Sequence, residues 1–137
     1  MLHYRQATPE DLNAIIHLVI EYCEEYSFEY DREKIKEYII YSMFNLLVII
    51  AEDNNKLVGA ISYFIYGDLY KKDKILSKKY AIFTSKDYRG KGVGKELLKL
   101  AEQDCKEKGA IKFYYTSTKA PDKGYTEVET EFVKEIK

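Results

Sequence analysis

The chain has 137 residues, 46% of them hydrophobic, and a formal net charge of −1. This length suits one domain with a real core, the hydrophobic content argues against global disorder, and the balanced charge implies no bulk attraction to nucleic acid. No apolar run reaches transmembrane length, and the N-terminus lacks the charged start and apolar core of a signal peptide. We therefore expect a single globular domain over residues 1–137, with no membrane partner.

The two cysteines, Cys23 and Cys105, both fall on predicted helices. They are not in C-x-x-C spacing, and two cysteines do not make a disulfide scaffold. The simplest interpretation is a reduced, cytoplasmic setting.

The start of the chain predicts a short strand over residues 3–7 and then a helix. Thr8 is a suitable N-cap, and Pro9 suits the first helical position. Apolar residues then recur at helical spacing, namely Leu12, Ile15, Ile16, Val19 and Cys23. A second helix is predicted over residues 32–44, where Ile35, Tyr38, Ile39 and Ser42 share one side.

Acidic residues are concentrated around the predicted end of the first helix: Glu21, Glu24, Glu25, Glu29 and Asp31. Helix C-termini prefer cations, so this placement costs a little stability. One interpretation is a solvated surface, and the other is an acidic rim that attracts a cationic amine.

The middle of the chain predicts a β-hairpin. Residues 46–52 and 57–66 are strand-like, and the turn residues Asp53-Asn54-Asn55-Lys56 join them. Gly59 lies inside the second strand and suggests close packing or a bulge. A polar loop over residues 67–74 leads to a further strand over residues 75–84.

A glycine-rich loop follows that strand. Gly90, Gly92 and Gly94 occupy alternate positions, with Arg89, Lys91 and Lys95 among them, and a helical pattern begins at Val93. Glycines allow main-chain N–H groups to approach a ligand closely, and a helix N-terminus offers unpaired donors at a positive dipole end. The sequence therefore predicts an anion site, most often one for phosphate.

The spacing of this loop excludes two common phosphate motifs. The nucleoside-triphosphate loop G-x-x-x-x-G-K-S/T is absent, because Glu96 follows Lys95 and Arg89 occupies the position of the first glycine. The dinucleotide fingerprint also fails, because the third glycine falls one position early and the loop lies far down the chain. The pattern that fits is R-x-x-G-x-G, formed by Arg89, Gly92 and Gly94.

This pattern resembles the GNAT superfamily of N-acetyltransferases, whose loop holds the pyrophosphate of acetyl-coenzyme A. Two further segments are similar to that family: the opening Tyr-Arg-Gln-Ala-Thr-Pro-Glu-Asp-Leu and the hairpin text Ala-Glu-Asp-Asn-Asn-Lys-Leu-Val-Gly-Ala. The resemblance implies an α/β (α+β) fold with a mixed, largely antiparallel, splayed sheet and helices on both faces. It also implies acetyl-CoA as the cofactor.

The resemblance assigns cofactor contacts to the loop and to the strand before it. In the family this strand parts from its neighbour, leaving main-chain groups free to pair with the pantetheine arm; by position, Ile82 and Thr84 would supply them, with Phe83 beside them. The full set of implied cofactor-binding residues is Ile82, Phe83, Thr84, Arg89, Gly90, Lys91, Gly92, Val93, Gly94 and Lys95.

The end of the chain departs from the family. After the loop helix, which should stop near Gly109, we predict a strand over residues 110–116, a loop over 117–123 and a last strand over 124–136 paired to it as a hairpin. Family members carry a helix between these strands, with a tyrosine that often protonates the departing thiolate. Seven residues cannot hold that helix, so the acid is unassigned; Tyr114, Tyr115 and Tyr125 are substitutes, each favoured as a packing residue.

The general base is also open. Amine attack on a thioester needs a neutral amine, and a carboxylate commonly helps to remove its proton. No Asp or Glu lies within residues 75–84, so no family base is carried over. The remaining candidates are Glu25, Glu29, Asp68, His3 and His17, although His17 suits a helix surface. Nothing resembles a metal site.

We therefore predict an acetyl-CoA-dependent N-acetyltransferase that acts on a small-molecule or peptide amine by direct attack in a ternary complex. The alternative is a CoA-binding or protein-interaction module that has lost turnover, and a third, weaker possibility is a nucleotide-binding protein. A homodimer paired through the exposed final strand is also compatible with the sequence.

Overall fold

A computed structural model describes residues 1–116 and 134–135 of the chain. Its helices and strands are β1 (Leu2–Gln6), α1 (Leu12–Glu25), α2 (Arg32–Asn45), β2 (Leu47–Asp53), β3 (Lys56–Gly67), β4 (Ile75–Thr84), α3 (Val93–Glu107) and β5 (Phe113–Tyr114). Within the described residues the strands form one sheet in the order β1-β2-β3-β4-β5; β4 and β5 are parallel, and the other neighbours are antiparallel. The predicted fold class is confirmed.

A hydrophobic cluster covers each face of the sheet. On one face α3 packs against β2 and β3, with a core that contains Ile49, Ile61, Tyr63, Val93, Leu97 and Ala101. On the other face α1 and α2 pack against the same strands, with a core that contains Ile15, Ile16, Val19, Ile39, Ile50 and Ala60. The helices therefore lie on both sides of the sheet, as predicted, and none in the described part of the chain is long and apolar enough to cross a membrane.

The start of α1 is fixed by charge as well as by capping. A 3-10 turn over Pro9–Asp11 precedes the helix, and the Asp11 carboxylate accepts the main-chain N–H of Thr8 at 2.7 Å. Arg5 on β1 donates two hydrogen bonds to Asp11, at 2.8 and 2.9 Å, and two to Glu52, at 3.2 and 3.3 Å. Arg5 thereby ties the edge strand to both the helix start and β2.

Replacing Asp11 with asparagine should lower the free energy of unfolding by about 1–2 kcal/mol at pH 7. Hydrogen bonds from Arg5 lower the pKa of Asp11 from 3.8 to about 2. A depressed carboxyl pKa stabilises the fold above the unfolded value, and the contribution is lost as the pH falls from about 4 towards 2. Urea unfolding across this range measures the difference, which should shrink to zero at the acid end; a difference that does not depend on pH would contradict the ion-pair account.

The start of α2 explains one residue of the acidic stretch. Asp31 is the N-cap, and its carboxylate accepts the main-chain N–H groups of Glu33 at 2.9 Å and Lys34 at 3.3 Å. An acidic residue is favourable there, because the first turn of a helix carries unpaired donors.

The predicted hairpin joins β2 to β3. Asn54 and Asn55 have φ values of 50° and 68°, as a two-residue turn with both central residues left-handed requires. Both features that the sequence suggested at Gly59, a bulge and close packing, are present. The pairing of β2 with β3 shifts register beside it, and a Cβ at Gly59 would lie 2.9 Å from the Val93 side chain.

The strand predicted over residues 110–116 is shorter in the structure, where β5 comprises only Phe113–Tyr114. Gly109 ends α3 with a φ of 94°, and the N–H of Ala110 is used to close that helix on Cys105. Ala110 therefore completes the helix cap, and main-chain pairing with β4 begins at the next residue, where the N–H of Ile111 donates to the Ile75 carbonyl at 3.0 Å. The predicted loop over 117–123, Tyr125 and most of the final strand predicted over 124–136 lie outside the described residues; residues 134 and 135, which are described, are not in a strand.

Candidate active site at the end of β4

A row of main-chain donors lies at the start of α3. Gly92 is the N-cap, and its carbonyl accepts the N–H of Glu96 at 3.0 Å, which is the first bond of the helix. Among the described residues, the N–H groups of Gly92, Val93, Gly94 and Lys95 have no hydrogen-bond acceptor. These donors belong to the four that a helix N-terminus leaves free, and they sit where the dipole is positive.

The glycines of the loop adopt conformations that favour glycine and leave space in front of these donors. Gly90 and Gly92 have φ values of 75° and 84°, and an added Cβ at either would meet no atom within 4 Å. Gly94 is helical, and its missing Cβ faces Thr84 Oγ1 at 3.6 Å. The loop therefore presents bare main chain next to the end of β4, as an anion site requires.

The main-chain groups of β4 change the edge that they face partway along the strand. Near its start, Ser77 donates its N–H to the Lys112 carbonyl at 2.9 Å, on the β5 side. Just beyond its end, Ser85 donates its N–H to the Val58 carbonyl at 2.8 Å, on the β3 side. The N–H groups of successive residues point to opposite edges of a strand, and residues 77 and 85 are an even number of positions apart. An unbroken strand would therefore place both N–H groups on the same side.

A β-bulge at Tyr80 accounts for this change. Lys79 pairs with Tyr63 and Ala81 pairs with Ser62, which leaves Tyr80 without a partner in the ladder. After the bulge, Ile82 and Thr84 direct their main-chain groups away from β3. This is the edge that the sequence assigned to the pantetheine arm.

Strands β4 and β5 part at the same point. The last pair is Lys78 with Tyr114, and in the described part of the chain no ladder continues beyond it. Lys79 crosses the opening, donating from Nζ to the Thr116 carbonyl at 3.0 Å and lying 4.2 Å from the centre of the Tyr115 ring. Burial and the neighbouring Lys78 lower the pKa of Lys79. A half-buried lysine, Lys79, therefore lies where β4 and β5 begin to part. The sequence analysis did not identify it as part of the site.

The predicted cofactor-binding residues are brought together, but several side chains point into the protein. Ile82 and Val93 pack in the α3 core, and Phe83 packs in the α1/α2 core, with its ring 5.2 Å from that of Tyr22. Val93 is fully buried, and the side chains of Ile82 and Phe83 are half-buried. The side chains of Lys91 and Lys95 are exposed at the loop.

Arg89 has a different environment from the rest of the loop. Its guanidinium forms an ion pair with Glu25 of α1, donates to the Thr84 carbonyl at 3.2 Å and lies 5.4 Å from the centre of the Tyr26 ring. The hydrogen bond with Glu25 raises the pKa of Arg89. The arginine thus points towards α1 rather than towards the free N–H groups.

The acidic end of α1 is not simply a solvated surface. Glu21 accepts the hydroxyl of the buried Ser85 at 3.1 Å, and Glu25 pairs with Arg89 one helical turn later. Glu24 accepts the Tyr30 hydroxyl at 2.8 Å. Aromatic rings surround this end of the helix, with Tyr22, Tyr26 and Phe28 in mutual contact. The contacts of Glu21 and Glu25 join residues 64 positions apart, so no local pattern predicted them.

The residues that the sequence offered as candidate bases lie in different parts of the structure. Asp68 closes the β3–β4 loop by accepting the N–H groups of Tyr70 and Lys71, and the former bond contributes most to its lowered pKa. His3 and His17 are exposed on β1 and α1. Glu25 is the carboxylate among the candidates that contacts the loop, through Arg89.

The described site thus combines a sheet that parts after Lys78 with a glycine-rich loop and the unpaired start of α3 beside the gap. The sequence profile of the acetyltransferase (GNAT) family matches residues 12–125. The chain therefore belongs to the GNAT acetyltransferase family. A comparison with curated protein sequences gave no significant match.

Solved structures share this fold at low sequence identity. A GNAT family acetyltransferase from Staphylococcus aureus superposes with a TM-score of 0.79 at 17% identity, covering 98% of each chain. An aminoglycoside acetyltransferase from an uncultured soil metagenomic sample, in complex with sisomicin, gives 0.75 at 21% identity, covering 99% of this chain and 97% of that one. A ribosomal-protein-alanine N-acetyltransferase from Brucella melitensis gives 0.76 at 14% identity, covering 99% of each.

Proposed function

We propose that the protein is an N-acetyltransferase that uses acetyl-CoA and transfers the acetyl group to a primary amine by direct attack in a ternary complex. The observation that carries this proposal is the row of N–H groups from Gly92 to Lys95, which have no acceptor among the described residues and follow a glycine-rich loop at the end of β4. Membership of the acetyltransferase family supports the choice of acetyl-CoA over other phosphate ligands.

The residues of the site fit this cofactor. The four N–H groups would hold the pyrophosphate, and Lys91 and Lys95 would add positive charge on the side of the 3′-phosphate. The main chain of Ile82 and Thr84 would pair with the pantetheine arm, as an added strand pairs with a sheet edge. When bound, acetyl-CoA supplies the activated acetyl group as a thioester.

The protein itself would contribute by positioning the two substrates and by polarising the thioester carbonyl. Main-chain N–H groups on the free edge of β4 are suited to polarise the thioester carbonyl, and a fixed geometry supplies a large part of the rate. Lys79, at the narrow end of the splay, places a positive charge where negative charge develops on a departing thiolate. This assignment gives a role to a cation in a chain whose usual tyrosine acid has no counterpart in the sequence.

The acceptor we propose is a cationic amine. The end of α1 carries Glu21, Glu24 and Glu25 together with exposed aromatic rings at Tyr26 and Phe28, and carboxylates and ring faces both attract ammonium groups. Two structural neighbours, named as aminoglycoside and ribosomal-protein-alanine acetyltransferases, show by name that this fold accommodates both small and peptide amines.

Isothermal titration of the full chain with acetyl-CoA tests the cofactor assignment. We expect saturable binding in the micromolar range, typical of an enzyme cofactor. A parallel titration with ATP is the control, because a general phosphate site would accept both. The absence of heat at millimolar acetyl-CoA, or binding of ATP alone, would contradict the proposal.

A non-catalytic CoA-binding module remains the second candidate. The observation that favours it is that Glu25, the candidate base whose contact with the loop the described residues show, is already paired with Arg89. Release of free thiol from acetyl-CoA across a panel of primary amines separates the two candidates. Binding of acetyl-CoA without thiol release from any amine would select the module.

A further inference from the structure

Arg89 is held away from the anion site by a set of contacts within the chain. Its guanidinium is bound by the Glu25 carboxylate, the Thr84 carbonyl and the Tyr26 hydroxyl, the last at 3.3 Å. The exposed fractions of the two side chains in the ion pair are 33% for Arg89 and 22% for Glu25, so water screens the pair only partly. We call this set of contacts the Arg89 latch.

The latch occupies two parts of the cofactor site at once. Arg89 is the first residue of the R-x-x-G-x-G pattern, so its charge is assigned to the pyrophosphate, yet that charge is neutralised by Glu25. The Thr84 carbonyl belongs to the edge assigned to the pantetheine arm, yet it already accepts a hydrogen bond from Arg89. One intramolecular contact thus satisfies both groups in the free protein.

We propose that the Arg89 latch is an autoinhibitory contact, in which Glu25 and the cofactor pyrophosphate compete for the same guanidinium. This inference rests on the proposed function, because the competing anion is that of coenzyme A. Cofactor binding breaks the Arg89–Glu25 ion pair, transfers the guanidinium to the pyrophosphate and frees the Thr84 carbonyl for the pantetheine arm.

Opening the latch changes the acceptor side of the protein as well. Glu25 lies in the last turn of α1, directly before the aromatic link to α2, and Arg89 ties this end to β4 through Glu25 and Tyr26. Once Arg89 leaves, the Glu25 carboxylate is unpaired and available to an ammonium group. The acidic acceptor surface is therefore complete only after the cofactor has bound. The latch thus makes the cofactor bind before the amine.

The direction of one affinity change tests the latch. Glu25→Gln removes the competing charge, so the affinity for coenzyme A, measured by isothermal titration with the full chain, should increase by about 3- to 10-fold. If the ion pair instead holds Arg89 in a binding-competent position, the same change should weaken binding. Glu24→Gln is the matched control, because it removes an identical charge one residue away whose partner is Tyr30; we expect a change below about 2-fold.

A double-mutant cycle ties the effect to Arg89. In an Arg89→Gln background, Glu25→Gln should change coenzyme A affinity no more than Glu24→Gln does, because the competition needs the guanidinium. Thermal melts of each variant confirm that it is folded. If wild-type protein binds coenzyme A while Glu25→Gln binds no more tightly than Glu24→Gln, or keeps its gain without Arg89, the latch is overturned and the proposed function stands. If wild-type protein does not bind coenzyme A, the proposed function fails and the latch fails with it.

Discussion

Gly92→Asp should abolish coenzyme A binding, with a loss of affinity on the order of 100-fold or more, while the protein stays folded. The new carboxylate would extend into the space before the free N–H groups of α3, where it repels the pyrophosphate and competes for the same donors. Stability should fall by only about 1 kcal/mol, because Asp tolerates a φ of 84° and no atom lies within 4 Å of the added Cβ. Titration calorimetry and a thermal melt measure the two effects separately.

Gly92→Ala is the control for this prediction. It introduces left-handed strain without the charge, and because Ala lacks the side-chain hydrogen bonds that favour Asp at an N-cap and at positive φ, it should be no more stable than Gly92→Asp, while coenzyme A binding is reduced far less. Equal loss of affinity in both variants would show that backbone strain, rather than occupation of the anion site, governs the result. Undiminished binding by Gly92→Asp would remove the loop from the cofactor site altogether.

Gly59→Val should destabilise the fold by about 2–3 kcal/mol and lower the Tm by roughly 10 °C. A Cβ at this position would lie 2.9 Å from the Val93 side chain and 3.1 Å from that of Leu97, both fully buried on α3. The helix must move away from the sheet to admit the methyl groups. Because the moved end carries the free N–H groups, coenzyme A affinity should fall together with stability.

Gly67→Val provides the matched control at the other end of the same strand. A Cβ there would meet no atom within 4 Å, so its effect on the free energy of unfolding should stay within about 0.5 kcal/mol. Chemical unfolding of both variants measures the difference. A similar loss in the two variants would indicate that the glycine matters for strand conformation and not for the approach of α3.

The sequence predicted the parts of the fold that local chemistry decides. Strand β4 was predicted over the residues it occupies, and the Asn54-Asn55 turn and the start of α3 followed from turn and helix-start rules. The strand predicted over 110–116 begins later in the structure, because the N–H of Ala110 closes α3 and is not available to β4. Neither glycine nor proline marks the bulge at Tyr80, so periodicity alone did not reveal it.

The candidate site was predictable where it depends on glycines and a helix start, and unpredictable where it depends on distant side chains. The R-x-x-G-x-G pattern located the donors correctly at the N-terminus of α3. The partner of Arg89 lies 64 residues earlier in the chain, and the contact between Lys79 and Thr116 spans 37 residues. Such pairings arise only when the sheet brings α1, β4 and β5 together, so residue types and spacing carry no trace of them.

Because of the bulge in β4, the main chain and the side chains of the segment from Ile82 to Thr84 have separate structural roles. Its backbone edge faces the gap, while its side chains anchor the sheet to opposite layers, Ile82 beneath α3 and Phe83 beneath α1 and α2. Amino-acid replacements in this segment should therefore change the stability of the fold rather than the ligand specificity. Replacements that fill the same volumes would leave the backbone edge that faces the gap unchanged.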